Sequence, residues 1–209
     1  MLTTKQATPP PRARGRPREF DRATALERAL EVFWYQGYEP ATVAQLCLAM
    51  DIHPSSLYAA FGNKARLFLE SVRHYETTYW DTAWQALEQE PDVFLAIERF
   101  FLESARILSS SNLPSGCMVI LGATNISQDA HEVNSALRLL REESESCFLR
   151  RVKRAIADGQ LPSEIDAIGY AATLNTLLEG MSIQGRDGAS GGELERIAKI
   201  ALRVIAQSA

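Results

Sequence analysis

The sequence predicts an all-α protein of about nine helices, three of them short and clustered at a basic amino-terminal end. Apolar residues recur at i, i+3, i+4 and i+7 along most of the chain, and no segment alternates as a half-buried strand does. Glycine and proline fall mostly between these periodic segments. Apolar residues make up 46% of the chain and charged residues 23%, which suits a folded domain with a buried core.

A helix is predicted over residues 21–36, where Asp21 is a suitable N-cap for the apolar stripe that follows. The next helix is predicted over residues 42–49. It begins at Thr42 and Gln45, which match the capping box, in which each residue satisfies a backbone N–H of the other.

After a turn at residues 51–53, a third helix is predicted over residues 54–61, with Pro54 in its first turn. Leu57 and Phe61 are four residues apart and are expected to face inward. Two short helices joined by a tight turn, behind a supporting first helix, form a helix-turn-helix unit.

Later breaks in the periodicity predict six further helices, over residues 63–88, 92–109, 114–124, 128–157, 163–185 and 191–207. Ser163 and Ser190 are the expected N-caps of the last two helices, and Ser190 forms a second capping box with Glu193. We expect three parts, namely a flexible basic arm (1–19), a helix-turn-helix domain (20–66) and an effector-binding and dimerisation domain (67–209).

Positive charge is concentrated towards the amino terminus. Residues 1–66 contain nine lysines and arginines against six acidic residues, whereas the rest of the chain contains 13 against 20. The net charge of −4 therefore conceals a basic segment joined to an acidic remainder. Such an asymmetry favours a nucleic-acid-binding unit attached to a domain with another role.

Nothing in the sequence indicates a membrane span, a secretory signal or a metal site. The apolar runs are shorter than the roughly 20 residues that a spanning helix needs. The first residues lack the charged start and apolar stretch of a secretory signal. Cys47, Cys117 and Cys147 are widely spaced and show no paired metal-ligand spacing. We expect a cytoplasmic protein without disulfides, metal or cofactor.

The solvent face of the third helix is expected to approach DNA. It consists of small, hydroxyl-bearing or aromatic residues with no acid among them, Ser55, Ser56, Tyr58 and Ala59. In a helix-turn-helix the second helix of the pair enters the major groove. Tyr58 points outward, so that its hydroxyl can reach a phosphate oxygen, and Lys64 can do the same with a charge. Thr42 presents a hydroxyl and free backbone N–H groups at a helix amino terminus.

The stretch from Thr42 to Lys64 resembles the helix-turn-helix of the TetR/AcrR family of transcriptional regulators. The likeness is carried by Leu57-Tyr58-x-x-Phe61-x-x-Lys64 and strengthened by Arg14-Gly15-Arg16-Pro17-Arg18 and by Ala25-Leu26 to Gly37-Tyr38. It covers residues 14–75 and departs from the family at Asp51, where most members have glycine. Aspartate tolerates a left-handed backbone better than most residues, so we expect the turn to survive.

The resemblance implies a homodimeric repressor that binds a palindromic operator on double-stranded DNA and is released by a small-molecule effector. By position, Ser55, Ser56 and Ala59 would face base edges, and Thr42, Tyr58 and Lys64 would contact the DNA backbone. The last two helices of each subunit would form the dimer interface. The arginines of the arm, Arg14, Arg16 and Arg18, would enter a narrow minor groove. Alternatively, the arm is a disordered tail that provides only non-specific charge attraction.

The middle helices would surround the effector cavity, which is expected to be mainly apolar with a few polar groups. The candidate ligand contacts are Trp80, Trp84, Phe101, Met118, Asn125 and Asn175. The alternative for each large apolar residue is an ordinary place in the core, because aromatic residues at helical spacing usually pack there.

Three other functions stay open at this point. Cys117 follows the irregular segment 109–116, and a thiol at a helix amino terminus can have a lowered pKa, so Cys117 is a possible redox or electrophile sensor. A DNA-binding dimer without an effector is a second alternative. An all-helical enzyme is not favoured, because the sequence shows no nucleophile–base set, paired carboxylates or phosphate-binding glycine loop.

Overall fold

The computed structural model describes residues 20–111, 113–122, 126–127 and 129–207, and these residues form helices and loops without a β-strand. Nine helices follow one another when the long fourth helix is counted once. The first four are α1 (Arg22–Gln36), α2 (Val43–Met50), α3 (Pro54–Phe61) and α4, whose three consecutive segments are Lys64–Tyr75, the π-helical Glu76–Trp80 and Asp81–Gln89. The others are α5 (Val93–Leu108), α6 (Met118–Gly122), α7 (His131–Ala157), α8 (Ala167–Arg186) and α9 (Gly191–Gln207).

The predicted all-α class is confirmed, and so are most helix bounds. Asp21 caps α1 by accepting from the backbone N–H groups of Ala23 and Thr24. The start of α8 was predicted wrongly, because Asp166 caps that helix and the Ser163 hydroxyl binds the Glu164 carboxylate instead. Both residue types cap helices well, so the local pattern alone did not choose between them.

The start of α6 was also predicted too early, at residue 114 rather than at Met118. Gly116 has φ +79°, in the left-handed region that helices exclude, and its N–H donates to the Leu108 carbonyl at the end of α5. The intervening segment therefore folds back on α5 instead of entering α6.

The helix-turn-helix end is a small bundle in which α1 packs against α2 and α4. Phe33 lies at its centre, edge-on to Phe68 of α4 with ring centroids 5.0 Å apart. The apolar stripes of α1, α2 and α3 are buried as predicted, including Leu30, Leu46 and Leu57. Because α4 continues beyond this bundle, one helix belongs to both ends of the molecule.

The larger carboxy-terminal end is built from two packed pairs, α7 with α8 and α5 with α9. A cluster of aromatic rings fills the space between α4, α5 and α7 and includes Trp84, Phe100, Phe101 and Phe148. The ring centroids of Trp84 and Phe100 are 4.4 Å apart, and those of Phe100 and Phe148 are 5.2 Å apart. In the described part of the chain, no helix is both long and apolar enough to cross a bilayer.

Candidate DNA interface and ligand cavity

The start of α2 is fixed by the predicted capping box. The Gln45 backbone N–H donates to Thr42 Oγ1 over 3.2 Å, and the Thr42 N–H donates to Gln45 Oε1 over 2.9 Å. The Thr42 hydroxyl also donates to Gln45 Oε1. Its single proton is therefore engaged within the helix cap, so the free donors at this end are the backbone N–H groups of the first turn.

The turn between α2 and α3 survives without glycine. Asp51 adopts φ 54° and ψ 45° and is the only non-glycine residue with positive φ among the described residues. The N–H of Ile52 then donates to the Cys47 carbonyl over 3.1 Å, which closes the end of α2. The expectation that aspartate tolerates this backbone is confirmed.

The helix α3 is anchored on one side and open on the other. Leu57 and Phe61 are buried, as predicted, whereas Ser55, Tyr58 and Ala59 are exposed and Ser56 is half-buried. The Tyr58 side chain is 50% exposed, and its hydroxyl makes no hydrogen bond within the described part of the chain. The open face therefore presents free hydroxyl groups and no acidic group.

Lys64 lies closer to the protein than the sequence suggested. Its Nζ donates to the Glu39 carbonyl over 3.1 Å and lies 4.4 Å from the centre of the Tyr38 ring. Burial lowers the pKa of Lys64 from its usual value, although the negative charge of Glu39 opposes this shift. Lys64 thus ties the start of α4 to the loop before α2, whereas its contact with phosphate stays a prediction.

One positioning residue was not found from the sequence. Both terminal nitrogens of Arg22 bind the Glu70 carboxylate, and the guanidinium lies 4.4 Å from the centre of the Phe61 ring. Arg22 also reaches the Ala60 carbonyl over 3.4 Å. It therefore joins α1, α3 and α4 at the end of α3. Arg22 and Glu70 are 48 residues apart, so no local sequence pattern indicated their contact.

Besides the shared helix α4, hydrogen bonds between three pairs of residues in the described part of the chain join the helix-turn-helix end to the rest of the molecule. Trp34 Nε1 donates to the Gly116 carbonyl over 2.8 Å in a buried contact. Arg186 donates to the Tyr35 carbonyl over 2.6 Å, and the Ser127 hydroxyl donates to the Glu39 carboxylate over 2.7 Å. Movement of α6 or α8 therefore reaches α1 directly as well as through α4.

A small cavity lies among α4, α6, α7 and α8, with a volume of about 20 Å³, close to the space that a single water molecule needs. Three predicted ligand contacts line it, namely Trp80, Trp84 and Asn175. Its wall also contains residues that the sequence did not single out, Glu76, Val119, Ile120, Leu140, Arg141, Ser144, Leu178 and Glu179. Glu76 and Trp80 bound the π-helical segment of α4, a feature that is frequent at functional sites.

The other predicted ligand contacts lie elsewhere. Phe101 is fully buried and stacks on Phe148 with centroids 6.0 Å apart, so its assignment to the cavity is corrected to the core. Met118 lines a separate cleft of about 250 Å³ beside Trp34 and Phe68, next to α1. Helical periodicity shows which face of a helix is buried but not whether that face meets a ring or a cavity.

Four predicted contacts fall outside the described residues. These are Asn125 of the proposed ligand site and the three arm residues, Arg14, Arg16 and Arg18.

Cys117 is not the accessible thiol that its position suggested. It is buried in the cavity wall, and its backbone N–H donates to the Ser182 hydroxyl over 2.8 Å. Burial, together with the negative charge of Glu76, raises the pKa of the Cys117 thiol to about 12, although a hydrogen bond with Tyr75 opposes this rise. The expected lowering of this pKa is therefore wrong, and the structure gives no support to a thiolate sensor at Cys117.

Similar proteins identify the family. A family model described as bacterial regulatory proteins, tetR family, matches residues 25–71. The HTH-type transcriptional repressor ComR of Escherichia coli is 32% identical over 194 residues, which cover 92% of this chain and 92% of ComR. The HTH-type transcriptional regulator YezE of Bacillus subtilis is 33% identical over 164 residues, which cover 77% of this chain and 84% of YezE. The chain belongs to the TetR family.

A solved structure agrees with this assignment to the TetR family. A cysteine mutant of the TetR family transcriptional regulator CifR, complexed with 26-base-pair double-strand operator DNA, has a TM-score of 0.86 and 39% identity to this chain. The match covers 90% of this chain and 98% of that chain. As a TetR family member, the chain is a DNA-binding transcriptional regulator and not an enzyme.

Glu76 gives this TetR family member a testable dependence of stability on pH. Burial, with a contribution from Asp81, raises the pKa of Glu76 from 4.5 to about 7 in the folded chain. The folded state therefore holds this proton more tightly than the unfolded state. The resulting stability is complete below the lower pKa and is lost as the pH rises through the higher one. It amounts to about 2 kcal/mol once solvent screening of this partly buried carboxyl is allowed for.

We expect Glu76→Gln to remove about 2 kcal/mol of the difference in unfolding free energy between about pH 5 and about pH 8. Chemical denaturation at both pH values measures this difference. Glu98→Gln, which changes an exposed carboxyl on α5, is the matched control and is expected to leave the difference unchanged. An unaltered pH dependence in the Glu76 variant would contradict the raised pKa.

Proposed function

We propose that this TetR family regulator is a homodimeric repressor that binds a palindromic operator with α3 in the major groove and leaves it when a small molecule fills the cavity beside α4. The open face of α3 carries this proposal, because Ser55 and Tyr58 are exposed on it, none of its residues is acidic, and it is backed by the buried Leu57 and Phe61. A surface that approaches phosphate and base edges needs such donors without negative charge.

Each predicted DNA contact has a specific proposed role. Ser55, Ser56 and Ala59 would lie at base edges, and the free Tyr58 hydroxyl would donate to a phosphate oxygen. At the start of α2 the exposed backbone N–H groups next to Thr42 would bind phosphate, since the hydroxyl is occupied by Gln45. Lys64 would contribute charge with the ammonium protons that Glu39 leaves free. The arm, with Arg14, Arg16 and Arg18, would add minor-groove or non-specific contacts.

A two-fold symmetric dimer suits a palindromic operator, and the last two helices are the proposed interface. Three isoleucines on α8 and α9 support this placement. Ile168, Ile183 and Ile200 are at least half exposed in the single chain, although each would be more stable out of water. Two relatives, ComR and BdcR of Escherichia coli, are named transcriptional repressors, which supports repression as the direction of control.

The proposed release of DNA depends on the segments that connect the cavity to the helix-turn-helix end. Glu76 and Trp80 line the cavity from α4, and the same helix begins beside α3 at Lys64. Cys117 lines the cavity and directly follows Gly116, whose carbonyl holds Trp34 of α1. A ligand that enlarges the cavity would move both connections and change the separation of the two α3 helices. By linkage, operator DNA would weaken ligand binding by the same factor.

Selection of bound duplexes from a random double-stranded library, at near-physiological salt, tests the DNA-binding part of this proposal. We expect enrichment of one palindrome whose half-sites lie about one DNA turn apart. Recovery of no sequence, or of an asymmetric single site, would contradict a dimeric repressor with α3 as its reading element.

The recovered palindrome then serves to test Tyr58. We expect Tyr58→Phe, which removes only the hydroxyl, to weaken binding about tenfold, the value of a hydrogen bond to a charged group. Fluorescence anisotropy with a labelled operator measures this change. Ser55→Ala is expected to change the preferred base at one position, whereas Ser163→Ala, a serine in the loop before α8, is expected to match the wild type. Unchanged affinity in Tyr58→Phe would remove the phosphate contact from the proposal.

A further inference from the structure

Two polar side chains line the cavity without a partner in it. Nη1 of Arg141 is buried and has no hydrogen-bond acceptor, and no ion pair of Arg141 exists in the described part of the chain. The Glu76 carboxyl lines the same cavity from α4, and no ion pair joins it to Arg141. A buried donor that lacks an acceptor destabilises the fold, and more so when it is charged.

Arg151, ten residues further along α7, also has a buried Nη1 without a hydrogen-bond partner among the described residues, but its other nitrogens hold the protein backbone. Its Nε donates to the Leu87 carbonyl over 3.1 Å, and its Nη2 reaches the carbonyls of Glu90 and Pro91 over 3.0 Å and 3.1 Å. It thus satisfies the carboxy-terminal end of α4. Arg141 makes no comparable bond to the backbone, so its place in the cavity wall is not explained by the packing of the helices.

The remaining wall fits a compact, mainly apolar molecule. The indoles of Trp80 and Trp84 face the cavity from α4, with ring centroids 6.4 Å apart, and Leu140 and Leu178 close it from α7 and α8. The side-chain amide of the buried Asn175 donates to the Glu179 carboxylate over 3.3 Å. Among the residues that line the cavity, Arg141 is the basic one, and it has no ion-pair partner in the described part of the chain.

We propose that the effector is a small organic carboxylate whose carboxyl group binds the Arg141 guanidinium and whose apolar body lies against Trp80 and Trp84. A carboxylate matches the planar donor pattern of a guanidinium and removes the cost of its unsatisfied nitrogen. This inference rests on the effector-release part of the proposed function and names the chemical class of that effector.

The size of the cavity connects this ligand to release. Pockets for small organic molecules generally occupy about 300 Å³ or more, whereas this cavity has about 20 Å³. Binding therefore requires the walls to separate, and the α4 side of the wall includes both ends of the π-helical segment, Glu76 and Trp80, as well as Trp84. A ligand that binds only the separated form shifts the population towards it.

The test uses the full chain without DNA, so that a failure of operator binding cannot be mistaken for a failure of ligand binding. The probes are benzoate, phenylacetate, cinnamate and hexanoate, each paired with its neutral amide, and benzylamine serves as a cation. Binding is measured by tryptophan fluorescence and by isothermal titration calorimetry. We expect at least one carboxylate to bind at least about tenfold more tightly than its amide, and benzylamine not to bind.

Substitutions on α7 test whether Arg141 is the residue that binds the carboxyl group of the ligand. Arg141→Gln is expected to reduce the preference for carboxylate over amide to less than about twofold, and Arg141→Lys to keep part of it. Arg138→Gln, which alters an exposed arginine of α7 paired with Glu142, is the matched control and is expected to bind like the wild type. Circular dichroism checks that each variant is folded.

Three outcomes would overturn the proposal, and the first two concern the wild type alone, so they hold even if Arg141→Gln does not fold. They are equal binding of every carboxylate and its amide, preferential binding of benzylamine, and an unchanged carboxylate preference in folded Arg141→Gln. None of these outcomes affects the operator selection, which tests DNA binding separately.

Discussion

Phe101→Ala is expected to lower the free energy of unfolding by about 3–5 kcal/mol, the usual cost of truncating a buried phenylalanine. The side chain is fully buried, stacks on Phe148 at 6.0 Å and lies edge-on to Phe100 at 5.5 Å. The lost apolar burial and the cavity left between α5 and α7 both contribute. Urea denaturation at a fixed protein concentration measures the loss, since dimerisation would make the midpoint depend on concentration.

Phe94→Ala is the matched control for this prediction. Phe94 lies on the same helix but is 45% exposed, so its truncation is expected to cost about 1 kcal/mol or less. A similarly small cost for Phe101→Ala, measured without ligand, would indicate a side chain that borders open space. It would then restore Phe101 as a ligand contact.

Gly116→Ala is expected to lower the free energy of unfolding by about 2–5 kcal/mol. Gly116 has φ +79°, where a side chain costs about 1–2 kcal/mol. A Cβ atom there would also lie 2.5 Å from Leu121 Cδ1 and 2.9 Å from the Ser182 carbonyl oxygen. Because the second neighbour is backbone, relief requires the segment before α6 to move away from α8, at a further cost of about 1–3 kcal/mol.

Gly159→Ala separates the two contributions to this loss. Gly159 has φ +72°, but a Cβ atom there would meet nothing within 4 Å. We therefore expect only the backbone cost, about 1–2 kcal/mol. Equal losses in the two variants would show that the close packing of Gly116 against α8 contributes nothing. Operator binding of Gly116→Ala is worth measuring beside stability, because the Gly116 carbonyl accepts from Trp34 of α1.

The helix-turn-helix could be predicted because its determinants lie within a few residues of one another. The capping box of Thr42 and Gln45, the left-handed turn at Asp51 and the four-residue spacing of Leu57 and Phe61 are all local. Each agrees with the tertiary fold, so propensity, capping and burial indicate the same short helices. The exposure of Tyr58 follows from that spacing alone.

The lining of the cavity beside α4 was predicted only in part, for a physical reason. Trp80, Trp84 and Asn175 were identified from residue type and helical face, and they line the cavity. The same reasoning placed Phe101 there, because a helical period cannot say whether a buried ring meets another ring or a void. Glu76 and Arg141 were missed because a charged residue on a helix is ordinarily solvated, and their burial depends on four helices packing together.

The sequence by itself determined the all-α class, the positions of the short helices and the residues on the exposed face of α3, because these depend on contacts within one or two helical turns. The tertiary structure alone decided that Cys117 is buried with a raised pKa, that Lys64 binds the Glu39 carbonyl and that Arg141 faces the cavity unpaired. Those properties depend on groups that are distant in the chain, and only the packing of the helices sets their distances and their access to water.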